Sequence, residues 1–149
     1  MDSLLAGGNV NRALIDMPAW QKTGPLAWAG FGRHADLSRR AMALYPLEAF
    51  SGVILSIAAV LSFRRDATSS RSASIPLYGA AALGVAGLLT TARAAPIMLS
   101  VRGLGESEPA LQRALDGFQF WGNIRGAFQV LAFVANLWSL VVLSRADRA

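Results

Sequence analysis

The chain has no cysteine, one histidine and one lysine among its 149 residues, and only 15% of them are charged. Without cysteine there is no disulfide, no thiolate metal site and no sulfur nucleophile, and redox usage points to no compartment. A single histidine, His34, and few carboxylates inside apolar segments argue against copper, zinc and di-iron centres, each of which needs several such ligands. No glycine-rich phosphate loop follows a strand, and neither a serine nucleophile elbow nor a zinc motif occurs. The opening stretch "MDSLLAGGNVNRALIDMP" lacks a basic region and a long apolar run, so it does not read as a cleavable signal.

What is present is apolar. Hydrophobic residues make up 54% of the chain and the mean hydropathy is +0.41, too high for an ordinary soluble domain of this size. The net charge of +5 could suggest nucleic acid, but thirteen of the fourteen basic residues are arginines scattered over loops and helix ends. Without a basic stripe they read as topology and site charges, and nucleic acid is not an expected partner.

Three segments meet the length of roughly 20 apolar residues that a transmembrane helix needs. They are 42–63, 75–100 and 118–143, the last reading "FQFWGNIRGAFQVLAFVANLWSLVVL". The loop "RRDATSSRSAS" between the first two is solvated, and the loop before the third is expected to hold a short surface helix from near Pro109. Residues 3–20 are more polar, with Asn9, Asn11, Arg12 and Asp16, yet about 20 helical residues reach about 30 Å, and Arg12 and Asp16 are spaced i,i+4 for pairing. Residues 23–40 read either as an interfacial helix, with Pro25 in its first turn and Trp28 and Phe31 at i,i+3, or as a plain connecting loop. The expectation is one all-α domain, 1–149: a four-helix membrane bundle of three apolar spans and a polar N-terminal helix.

Charge counts in short loops bear on orientation. Arg64, Arg65, Arg71, Arg145 and Arg148 favour a cytoplasmic C-terminus, while Arg33, Arg39, Arg40, Arg102 and Arg113 weigh almost equally for the reverse. The expected location is the inner membrane of a bacterium with the C-terminus inside.

The spans carry charge at one depth. Arg125 lies seven residues in from 118, Arg93 seven before 100, and Glu48 six in from 42. Successive helices run antiparallel, so all three sit roughly 10 Å deep on one side, and Asp16 and Arg12 join them if the first helix ends there. Charged residues inside a span normally face the bundle interior and pair. With Asn123, Thr90, Thr91 and Gln129 nearby, the excess positive charge would suit an anionic or enolate-like group. The same layer also reads as staples between helices, or as arginines snorkelling to the interface. Gly122 and Gly126 form a G-x-x-x-G pair, and Ala80 with Gly84 repeats the spacing, as close helix packing requires. Pro46 and Pro96 lie near Glu48 and Arg93, where a freed carbonyl can open a cavity. His34 in "GRHADL" would be a general base if Asp36 orients it at the mouth of the layer, or else a surface histidine. Trp20, Trp28, Trp121, Trp138, Tyr45 and Tyr78 fall near helix ends, as interfacial anchors do.

The stretches "GGNVNRALIDMPAW", "RHADLSRRAMALYPLEA", "TARAAPIML" and "FWGNIRGAFQ" together resemble the anthrone-oxygenase-like family of small membrane proteins, largely catalogued as a domain of unknown function. The resemblance spans nearly the whole chain and implies a four-helix membrane bundle. For a few members it also implies an oxidoreductase activity, a monooxygenase-type conversion of anthrones to anthraquinones without a cofactor. The departure is at the N-terminus, where "MDSLLAGG" leaves less apolar length before Asn9 than the family usually has.

Under that reading, His34, Asp16 or Glu48 removes a proton from a hydrophobic aromatic substrate, and Arg93 or Arg125 stabilises the enolate that meets oxygen. Arg12, Asn123, Trp121, Thr90 and Gln129 would hold the substrate. The alternative is a non-catalytic accessory or ligand-binding subunit, with membrane lipid, a second copy or a membrane-complex partner gripped by the same layer. A transporter is disfavoured, because no inverted repeat is visible.

Overall fold

The computed structural model describes residues 2–65 and 71–146, and these residues form helices joined by short turns, with no strand among them. The first helix runs as α1 (Asp2–Asn11), a π-helical turn (Arg12–Asp16) and α2 (Met17–Thr23). Pro18 explains the interruption. It has no N–H to offer the carbonyl of Leu14, and its ring crowds that position. The helix widens there, and the Met17 N–H bonds the carbonyl of Arg12, five residues back. Gly24 ends α2 at φ 96°, a conformation open to glycine, and Pro25 starts α3 (Pro25–His34) with its φ already set.

Three long helices follow: α4 (Arg39–Arg65), α5 (Arg71–Ser100) and α6 (Glu108–Ala146). Ser38 caps α4 by accepting the Ala41 N–H at 3.2 Å. All three are long and apolar enough to cross a membrane. Their flanks carry large exposed apolar side chains, among them Leu47, Phe50, Ile54, Leu55, Leu131 and Leu140. A surface of that kind is untenable in water and ordinary in lipid. The chain is an all-α membrane bundle. The expected solvated loop lies partly outside the described residues, at 66–70, as does Arg148.

α5 packs along α6, the first helix lies on the next flank of α6, and α4 packs on α5 and only touches α1. Asn9 meets Gly126 and Gln129 while Gln21 meets Asp116, so the first helix runs antiparallel to α6. Gly87 faces Gln129 and Gly117 faces Ile97, so α5 runs antiparallel to α6 as well. α6 begins ten residues before 118, because the surface helix expected near Pro109 continues into the span without a break. Its first turns lie outside the apolar layer: Gln112, Asp116 and Gln119 are bonded to Gln21 of α2 in an exposed amide network.

The main cluster of buried apolar residues sits at this end. Met17, Trp28, Leu37, Met98, Val101, Leu111, Leu115 and Phe118 pack together where α2, α3, the 101–107 turn and the start of α6 meet. Arg33 clamps this cap by donating to the carbonyls of Val101, at 3.1 Å, and Gly105, while Arg102 donates to that of Leu37 at 2.7 Å. Trp28 therefore corrects one expectation: it is no interfacial anchor but only 1% exposed, its rings 5.9 Å from Phe118. Phe31 stays exposed and stacks on Trp20 at 5.0 Å. Trp28→Ala is expected to destabilise the protein by about 3–5 kcal/mol, measured by thermal unfolding in mild detergent; Phe31→Ala should cost far less.

Candidate functional site

The polar groups gather where the cap meets the spans. The π turn presents Arg12, whose Nη2 lies 2.6 Å from Asp36 Oδ2, and Tyr45 of α4 donates to Asp36 Oδ1 at 2.9 Å. Asp36 is buried and Arg12 only partly exposed, so the pair is shielded from solvent and closely held. The Arg12 guanidinium also stands 5.4 Å from the centre of the Phe118 ring, a cation–π contact. One residue of α1, Asn9, ties this group to the next. Its Oδ1 accepts from Arg125 Nη2 at 3.2 Å, and its Nδ2 donates to Gln129 Oε1 and to the carbonyl of Leu5. The close approach needs Gly126, where an added Cβ would meet that of Asn9 at 3.3 Å.

Arg125 carries the one buried side-chain nitrogen without a partner among the described residues, its Nε. Burying an N–H without an acceptor costs on the order of 1–3 kcal/mol, so natural structures seldom leave one idle. Gln129, one turn further, lines a narrow, partly open cleft among α1, α4, α5 and α6, with Leu5, Ala49, Gly52, Gly84 and Ala132. Small residues on facing helices leave this space open. On the far side of Asn9 a narrow polar slot lies between the π turn and α6.

The expected layer is thus partly assembled. Arg125 and Gln129 both bond Asn9, while Arg12, Asn9 and Asn123 line the slot. Asp16 does not pair with Arg12 and instead accepts from Asn11 at 3.3 Å. Arg12 is held by the buried Asp36 instead. Arg93 points outward, exposed on α5, with no ion pair among the described residues. Thr90 and Thr91 turn their hydroxyls to the Gly87 carbonyl, at 2.8 and 3.0 Å. Glu48 is half-buried on α4, and its carboxylate has no ion-pair partner among the described residues. Trp121 is half-buried against the cap core. His34 is exposed, with Nδ1 2.9 Å from the Gly30 carbonyl, and Asp36 faces inward to Arg12 and Tyr45 instead of orienting it.

Sequence reasoning missed the role of Asp36 as the partner of Arg12, of Tyr45 as its second donor, and of Asn9 as the hub. Asp36 is 24 residues from Arg12 and in a turn, so no periodicity links them. The one available signal was Pro18 next to a polar stretch, which marks an irregular helix at that depth. No three of His, Asp and Glu come together as a metal-ligand group among the described residues. Comparison of the chain with family models, curated proteins and solved structures finds no match.

The two glycines of the G-x-x-x-G pair differ. Gly126 is the packing glycine, while a Cβ on Gly122 would meet nothing within 4 Å. Gly126→Val should push α1 off α6 and lower stability by about 1–3 kcal/mol, whereas Gly122→Ala should stay within about 0.5 kcal/mol of the parent. Paired melting curves in detergent check both.

Proposed function

We propose that the chain is a membrane-embedded oxygenase that takes a hydrophobic aromatic molecule of the anthrone or quinone kind into the cleft among α1, α4, α5 and α6. One observation carries this: an arginine with a buried, unpartnered Nε–H, joined through Asn9 to the Gln129 that lines an apolar cleft. A donor fixed in a low-dielectric site is worth most to an oxygen that gains negative charge during reaction. Glu48, a half-buried carboxylate one turn before Gly52 of the cleft, is the base this reading favours over Asp16 and His34.

The chemistry balances without a cofactor. Glu48 takes a proton from the methylene of the anthrone, leaving an enolate whose oxygen is held by Arg125. The carbanionic carbon adds to molecular oxygen, and the resulting peroxide loses water to leave a carbonyl. One anthrone and one oxygen molecule give one anthraquinone and one water, the methylene being oxidised and both oxygen atoms reduced. The proposed location is a bacterial inner membrane with the C-terminus in the cytoplasm. Supplying an anthrone to the protein in nanodiscs under ¹⁸O₂ tests the reading: the new carbonyl should carry the label at a rate above that of empty nanodiscs. Product that forms no faster with protein than without would contradict it.

A second reading, a non-catalytic accessory or ligand-binding subunit, draws on α4. Only 6% of its most apolar window is buried, against 28% for α5, so a partner subunit or second copy has nearly a whole helix to pack on. Co-purification of a stoichiometric membrane partner would favour it, and a monodisperse, partner-free protein that turns over anthrone would count against it.

A further inference from the structure

The slot between the π turn and α6 lies apart from the cleft in which the proposed function places the substrate, although Arg12 and Asn123, expected from the sequence to hold that substrate, line it, and its chemistry is distinct. Its polar lining consists of Asn9, Arg12, Gln119 and Asn123, with Phe118 and Gly122 as part of its walls. Every one of the four polar side chains carries N–H donors, and no carboxylate lines the space. Arg12 spends Nη2 on Asp36, Gln119 spends its carbonyl oxygen on Gln21, and Asn123 is exposed with no hydrogen-bond partner among the described residues. Donors thus face the slot in excess over acceptors. Among the described residues Arg12 has one ion-pair partner, Asp36, which lies outside the lining, and Arg125 adds a positive charge on the far side of Asn9. The turns that build the slot also expose Leu14 and Ile15 on the π turn and Phe120 on α6, apolar groups suited to lipid.

We infer that this slot binds the compact oxyanion head of a membrane-soluble amphiphile, a carboxylate or phenolate, which enters sideways from the bilayer with its apolar body left among lipid chains. Three donor groups, Arg12, Gln119 and Asn123, meet the oxygens, and the ring of Phe118 backs Arg12. The π turn is part of the site, since it carries Arg12, which lines the slot beside Phe118, Gln119 and Asn123 of α6. The assignment rests on the slot alone and does not need the cleft to be an active site.

Gly122 provides a test, since it lines the slot and a Cβ added there meets no atom within 4 Å, so a larger side chain can grow into the slot. Radiolabelled dodecanoate and dodecanol are titrated against the protein in phosphatidylcholine nanodiscs, with empty nanodiscs subtracted. Dodecanoate should bind at least about tenfold tighter than dodecanol, the value of one or two charge-assisted hydrogen bonds. Gly122→Leu and, separately, Asn123→Leu should each remove that preference while the melting temperature holds. Phosphatidylglycerol in the nanodisc that displaces dodecanoate would assign the same oxyanion chemistry to a lipid head group, and failure to displace would assign it to a free amphiphile. Equal uptake of acid and alcohol, or a preference untouched in both variants, would overturn the proposal.

Discussion

Replacing Arg125 with leucine is expected to cut the oxidation of an anthrone by about 100-fold or more, the usual cost of removing one donor from a developing oxyanion, while leaving the bundle folded. Among the described residues the guanidinium makes one hydrogen bond to a side chain, to Asn9, and keeps Nε buried without a partner. Leucine keeps much of the apolar stem and removes the unpaired group, a change that is often neutral or stabilising for a buried charge. Asn9 retains its bonds to Gln129 and the Leu5 carbonyl. Rate and melting temperature measured on the same preparation separate the two roles of such a residue. A helix staple would lose stability along with activity; a ligand-facing donor loses activity alone.

Asp36→Ala should be the most destabilising charge removal in the protein, by about 3 kcal/mol. It strips a buried carboxylate from Arg12 and from the Tyr45 hydroxyl at once, and leaves a partly buried guanidinium unopposed. It also unties the α3–α4 turn from the π turn and from α4. The double variant Arg12→Met with Asp36→Leu should recover most of the loss, since two apolar side chains then replace a pair whose desolvation was itself costly. Thermal unfolding of the parent, both single variants and the double variant in one detergent gives the coupling directly. A double variant as unstable as the sum of the singles would remove the pair from the account.

The membrane spans were legible in the sequence because apolar length is a one-dimensional property. The runs at 42–63 and 75–100 differ from α4 and α5 by only a few residues at their ends, where flanking arginines and serines extend the helix beyond the apolar stretch. That Arg125 has polar company inside its span was legible in part: Gln129, one turn on in the same helix, shares Asn9 with it, although Asn9 itself was not foreseen. What was not legible came from turns and from packing. The i,i+4 spacing matches Arg12 with Asp16 because it relates positions within one helix, whereas the partner Arg12 takes, buried Asp36, comes from a turn 24 residues away. Arg93 looked equivalent to Arg125 by depth, but depth does not give the face of the helix, and Arg93 lies outward. Trp28 was read as an interfacial anchor because aromatic residues near span ends usually are; its burial follows from α3 folding back onto α5 and α6, a contact between segments distant in sequence.

The account turns on the buried guanidinium of Arg125 receiving an oxyanion in the bundle. In ¹⁵N-arginine-labelled protein, the Nε–H resonance of Arg125, assigned by its loss in Arg125→Leu, can be followed while a hydroxyanthraquinone is titrated in as a stand-in for the enolate. The account predicts that this resonance moves downfield and saturates with the ligand, as an N–H without an acceptor gains one. A ligand that binds to saturation while the Arg125 Nε–H stays in place would contradict it.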